Sequence, residues 1–367
     1  MATRARSPLA LVLVVLAGAV LLVVAVSMLR GSSDDREQAA SERAPGPLLA
    51  AIQTDDRAGF EAAFASDADE HRISLLWDNL RELDVIALTP TAQEQAWQVV
   101  WRVPGESGVA SHQVSPRWSC GPLRCELADI VQQPGMPAPL WLTGPISVHR
   151  AGAVAVIGGP DADQWLSPAA RAAEQLSQTP SAVALLRPGA LQVIEVPADA
   201  DAFAQVLAQP ALEFRGAGAI TWTASSGGEV PTSEQVTSRI VVNPDATAGL
   251  TDGQRQSLML HEQTHAATSW LAAPAAGRQW VSEGLAEWVR LRHPVADDSY
   301  PAAQPGGCVT GSVPADADFQ GLGDTTDAYR WSEAAIGQIM SRPDATAVVQ
   351  RLWRDPAEPL PALTSCG

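Results

Sequence analysis

The chain has no lysine. All 24 basic side chains are arginines, set against 41 Asp and Glu, and the formal charge is −17. So acidic a chain repels phosphate backbones, which argues against nucleic acid as a partner. Tyrosine is nearly absent as well: Tyr300 and Tyr329 are the two, and 12 tryptophans supply most of the aromatic content. Scattered from Trp77 to Trp353, they read as core anchors rather than a ligand box. There is no internal repeat, and neither GxGxxG nor GxxxxGK occurs in a strand–turn–helix context. The glycine runs at 216–218 and 227–228 read as turns. With 46% apolar and 18% charged residues over 367 positions, the chain can build more than one core.

One long apolar run is present. Residues 8–29, PLALVLVVLAGAVLLVVAVSML, carry no charge. At about 1.5 Å per residue such a helix crosses the roughly 30 Å hydrocarbon layer. It exceeds the apolar region of about 7–15 residues usual in a cleavable signal, although Ala25 to Ser27 also offers a small-residue cleavage site. The spacing predicts a single-pass anchor, with residues 1–7 as a cytoplasmic tail. Arginines flank both ends, so their count does not orient it. The four cysteines do: an even number behind an export-type segment fits two disulfides in an oxidising compartment. The pairing expected is Cys120 with Cys125 and Cys308 with Cys366, and the bulk of the chain is expected outside the cytoplasmic membrane.

Residues 30–46 are polar and end in Pro-Gly, and they read as a tether. From 47 the apolar residues of LLAAIQTDDRAGFEAAF and ISLLWDNLREL recur every three or four positions, predicting two helices. AWQVVWRV and LRCELADIV then read as strands, which makes 47–145 a small α+β module. The order of its elements, with the DDRAGF and LWDNLREL phrases, resembles the nuclear-transport-factor-2-like (NTF2-like) fold. His71 and His112 stand isolated in it. After the proline-rich PGMPAPLWLTGP, strands and helices alternate: ISVHRAGAVAVIGG, SPAARAAEQLSQ, ALQVIEVP, DADAFAQVLAQ and SRIVVNP. His149 reads as structural.

The chemistry is concentrated in LTDGQRQSLMLHEQTHAATSWL. Thr251 and Gln254 form a candidate capping box that opens a helix reaching to about 271. On it His261 and His265 lie one turn apart, so both imidazoles leave the same face and can bind one cation. Glu262 is rotated by about 100° and can reach a water beside that ion. A second amphipathic helix, QWVSEGLAEWVRL, follows a short loop and brings Glu283 in as a third ligand. Glu287, one turn on, can accept the free ring N–H of a ligating histidine.

HEQTH followed by WVSEGLAE resembles the gluzincin metallopeptidases, and most of all the peptidase-MA-like domains of actinobacterial membrane-anchored proteins. The resemblance covers 240–292 closely and 146–367 loosely. It implies an α+β zincin-like domain that holds zinc through His261, His265 and Glu283, with Glu262 as general base and Glu287 behind the ligands. It also implies a tyrosine or histidine assisting from the next helix, DAYRWSEAAIGQIM, where Tyr329 is the candidate; His293, just before Pro294, is the other. The GxMEN exopeptidase phrase is missing, and SEGLAE only approximates the NExxSD context of thermolysin. The expectation is therefore a membrane-anchored zinc endopeptidase acting on peptide or protein outside the cytoplasm. A second expectation stands beside it: a weakly active or inactive zincin-fold binding or scaffold protein of the envelope.

Overall fold

The computed structural model describes residues 34–91, 96–179, 185, 191–210, 214, 216–223, 238–271, 273–295, 307–319 and 325–366. The apolar run at 8–29, the glycines at 227–228 and Tyr300 lie outside them. Among the described residues no helix is long and apolar enough to cross a membrane.

Two sheets organise the molecule, which is of the α+β class. The first is an antiparallel meander of β1 (Asp84–Pro90), β2 (Trp97–Arg102), β3 (Ala110–Cys120) and β4 (Cys125–Gln132). Helices α1 (34–43), α2 (Pro45–Gln53), α3 (Arg57–Glu61) and α4 (Glu70–Arg81) accompany it. Two sequence expectations change here. Residues 30–46 are not a loose tether throughout, because 34–43 are helical and Ala40 and Ser41 are buried. The Trp97 indole N–H donates to the Ser41 carbonyl and hydroxyl, both at 3.1 Å, which fastens that helix to β2. The stretch 48–64 is not one helix but two. Asp55 turns the chain with a positive φ of 55°, and Asp56 then caps α3 by accepting from the Gly59 N–H.

The second sheet has the order β5-β6-β7-β9-β8. Its strands are β5 (Ser147–Ala151), β6 (Val154–Gly158), β7 (Gln192–Val196), β8 (Ala219–Thr223) and β9 (Ser238–Val242). The pairs β6/β7 and β7/β9 are parallel, and the two edge strands β5 and β8 run antiparallel to their neighbours. The centre of this sheet is buried on both faces, which is why VAVIG and VIEV are nearly continuous apolar runs. Val154, Val156, Ile194 and Ile240 point into one core, and Ala155, Ile157, Val193 and Val241 into the other.

The first core is closed by helices α6 (Leu166–Ser177), α9 (Asp252–Thr268), α10 (Gln279–Leu291), α11 (Thr326–Met340) and α12 (Ala345–Arg354). The second core contains α7 (Ala200–Leu207) and side chains of the N-terminal meander, so residues 47–145 and the second sheet share one apolar interior. Short helices α5 (Leu140–Thr143) and α8 (Pro244–Thr247) complete the connections. Asn79 pins the crossover between the sheets: its amide donates to Trp141 O and Gly144 O and accepts from Ile146 N–H.

A buried ionic group lies where the meander meets the second sheet. Arg239 on β9 donates to Glu106 at 2.8 Å and to Glu195 on β7 at 3.2 Å, and its guanidinium stacks 4.2 Å from the Trp101 ring. All three charged side chains are at most 1% exposed. Removing one partner from such a group costs about 3–5 kcal/mol, because a charge is left buried without its counterpart. His112 lies alongside, accepting from the Trp101 indole N–H at 3.1 Å; burial, with Arg239 adding to it, lowers its pKa to about 3. The disulfides pair as expected, Cys120 with Cys125 and Cys308 with Cys366.

Candidate metal centre

Strand β9 feeds the helix that carries the HEQTH phrase. Asn243 caps α8, and the Thr251–Gln254 capping box then opens α9, with both reciprocal bonds formed. The low amphipathicity of α9 has a structural cause. It is wedged between other elements, so Gln263 is fully buried and donates to Ala169 O on α6. Helix α10 is capped from a distance: Asp316 accepts the backbone N–H of Gly277 and of Gln279. It also lies unusually close to α11 at Gly284, where a Cβ would meet Ser332 O at 2.4 Å. Only a residue without a side chain allows that approach, and the approach carries Glu283 to α9.

The three expected ligands meet. Nε2 of His261 and Nε2 of His265 stand 3.1 Å apart, and each is 3.4 Å from Oε2 of Glu283. Donors held at about 2.0–2.1 Å from one ion with tetrahedral angles stand about 3.3–3.4 Å from one another, so this triangle is close to the size that one tetrahedrally held metal ion needs. The outer ring nitrogens are engaged as well. His261 Nδ1 is 2.8 Å from Glu287 Oε1, and His265 Nδ1 is 3.1 Å from Ser282 Oγ. An ionised Glu287 only accepts, so His261 Nδ1 carries a proton, and Nε2 is the ring nitrogen turned toward Glu283 and His265.

Three electron-rich atoms this close repel one another unless positive charge lies among them. The charges around the cluster pull in the same direction. Burial alone lowers His261, but Glu283 and Glu287 outweigh it and raise its pKa to about 10. Burial alone raises Glu283, but the two histidines hold it well below the usual carboxylate range. Glu287 is likewise held low, by His261 and by Arg290, which grips both its oxygens at 2.7–3.1 Å. The Arg290 guanidinium also reaches Ser257 on α9, so it braces the carboxylate against the other helix.

Glu262 is 6% exposed, and burial pushes its pKa upward. Its partner is Thr221 on the edge strand β8, whose hydroxyl lies 2.8 Å from Oε2 and 3.0 Å from the Glu262 carbonyl. Tyr329, on α11, packs its ring 6.2 Å from that of His261 and 5.4 Å from Phe319. His293 is turned elsewhere: it lies just past the end of α10 and bonds Thr179 at 2.8 Å. His71 and His149 are not part of the cluster.

Thr221, Ser282 and Arg290 were not singled out in the sequence. Ser282 and Arg290 flank the ligand phrase and could have been found by helical spacing. Thr221 gave no signal, because its partner lies 41 residues away. The fold and site together define an α+β protein with a His-His-Glu cluster able to hold a metal ion. Comparison with protein-family models, curated proteins and solved structures returns no match to this chain.

Proposed function

We propose that the protein is a zinc-dependent metallopeptidase of the gluzincin type, anchored through residues 8–29 with its body outside the cytoplasmic membrane. The observation that carries the reading is the triangle of Nε2, Nε2 and Oε2 at 3.1–3.4 Å beside a buried glutamate. His261, His265 and Glu283 would hold the zinc. When bound, the ion would supply Lewis acidity, able to lower the pKa of a water and to polarise a substrate carbonyl. Glu262, with its affinity for a proton raised by burial, takes the proton of the attacking water and passes it to the leaving amine. Thr221 keeps that carboxylate in place. Glu287 and Arg290 fix the orientation of the His261 ring. Tyr329, whose ring packs 6.2 Å from that of His261, would donate to the developing oxyanion.

Strand β8 supports a peptide substrate. Among the described residues only β9 pairs with it, so its outer edge can accept an extended chain. The two disulfides fit an oxidising location.

One observation favours the scaffold alternative: Glu262 is nearly enclosed and already bonded to Thr221. Metal analysis with a peptide-library assay separates the two. The protease reading expects about one zinc per chain and hydrolysis abolished by chelation, with Glu262→Gln lowering turnover by roughly 10²–10⁴ while zinc stays bound. Zinc without turnover in the wild type would leave the scaffold.

A further inference from the structure

The β3–β4 hairpin ends in a feature that the metal site does not use. Cys120 and Cys125 are cross-strand partners joined by a disulfide, and they close the turn Gly-Pro-Leu-Arg. Gly121 N–H donates to Arg124 O inside that turn. On its tip Leu123 is 92% exposed, far above the other exposed large apolar side chains among the described residues, Val313 at 37% and Leu360 at 36%. A leucine clamped outward on a stapled turn cannot fold back onto a core, so its hydration cost persists.

The hairpin is held next to the start of the folded body. Arg36 Nη1 donates to Gly121 O at 2.5 Å, and Glu37 Oε1 lies 3.7 Å from Cys120 Sγ. Arg36 is only seven residues beyond Leu29, where the uncharged run ends. The chain from 29 to 34 spans at most about 18 Å when fully extended, so α1 and the hairpin it holds emerge close to wherever that run ends.

We infer that Leu123 enters the interface of the bilayer spanned by residues 8–29, making the stapled turn a second membrane contact that orients the folded body. This rests on reading 8–29 as an anchor. The partner is a lipid surface, for three reasons. The exposed group is one aliphatic side chain on a narrow turn, too small for a protein interface. Its neighbour Pro122 brings no backbone N–H to desolvate. Arg124, 76% exposed at its side chain and paired with Glu126, keeps a basic head at the depth of lipid phosphates. A weak contact suffices, because the anchor holds the tip at an effective concentration on the order of millimolar.

The test uses the full chain reconstituted into vesicles of phosphatidylcholine and phosphatidylglycerol. An environment-sensitive fluorescent amino acid replaces Leu123 in one preparation and Leu16 in another. Quenching lipids carry their quencher near the headgroup or deep in the acyl region. The expected result is that the 16 probe is quenched deeply and the 123 probe shallowly, with a blue-shifted spectrum at both. If the 16 probe is quenched while the 123 probe keeps a water-like spectrum, the hairpin inference is overturned and the anchor stands. If neither is quenched, the anchor reading fails and takes the inference with it.

Discussion

The ring of His261 lies between two carboxylates on one helix. Glu287 takes its Nδ1 at 2.8 Å while Glu283 faces its Nε2 at 3.4 Å. Glu283 and Glu287 are four apart on α10, so a single helix face orders both sides of the imidazole. On the zinc reading proposed above, Glu287 would set metal affinity without being a ligand. Glu287→Gln is expected to weaken zinc binding by about 10–100-fold, measured by competition with a chelator. Unchanged affinity would show that the His261 ring is oriented by something else.

Thr221 couples the edge strand to the glutamate beside the metal site. Thr221→Val keeps the shape and removes the hydroxyl; loss of one hydrogen bond of about 1–1.5 kcal/mol predicts a fall of roughly ten-fold in kcat. KM and zinc affinity should hold, and Thr221→Ser should restore the rate. Equal losses in the Val and Ser variants would point to packing rather than the hydroxyl.

At Gly284 the fold leaves no room. Gly284→Ala forces a Cβ to within 2.4 Å of Ser332 O and 2.8 Å of the Ile336 side chain. Since one of these neighbours is backbone, α10 must move. Thermal unfolding should show a loss of about 1–3 kcal/mol, together with weaker zinc binding as Glu283 is displaced. An unshifted melting temperature would contradict the close packing of α10 on α11.

Glu333 gives a pH-dependent prediction. It is 1% exposed on α11, with no hydrogen-bond partner for either oxygen among the described residues. Burial, with Glu287 adding to it, raises its pKa to about 7. The folded state therefore binds a proton between pH 4.5 and 7 that the unfolded chain has released. Stability from this group is fully present below the unfolded pKa and is lost as pH rises toward 7, up to about 3 kcal/mol. Glu333→Gln should remove that decline, seen as a flatter denaturant midpoint across pH 5 to 8.

Much of this protein is legible locally. The i, i+4 histidines, the capping box of α9, the bounds of α10 at 279–291 and both cysteine pairs follow from spacing within a few residues or from chemistry that few partners could satisfy. Where the reading failed, the deciding contact was remote. The polar run 34–43 is helical and carries Ser41, which partners an indole 56 residues away. Strand β8, at Ala219–Thr223 just beyond a run read as a turn, exists because β9 pairs with it.

What the sequence alone determined is which side chains of each helix face the candidate metal cluster, since a helix fixes which of its own side chains share a face. What only the tertiary structure decided is the spacing between helices: α10 pressed on α11 at Gly284, β8 laid beside α9, and Arg239 sealed between Glu106 and Glu195. Those distances come from close packing of side chains far apart in the chain, and no local periodicity encodes them.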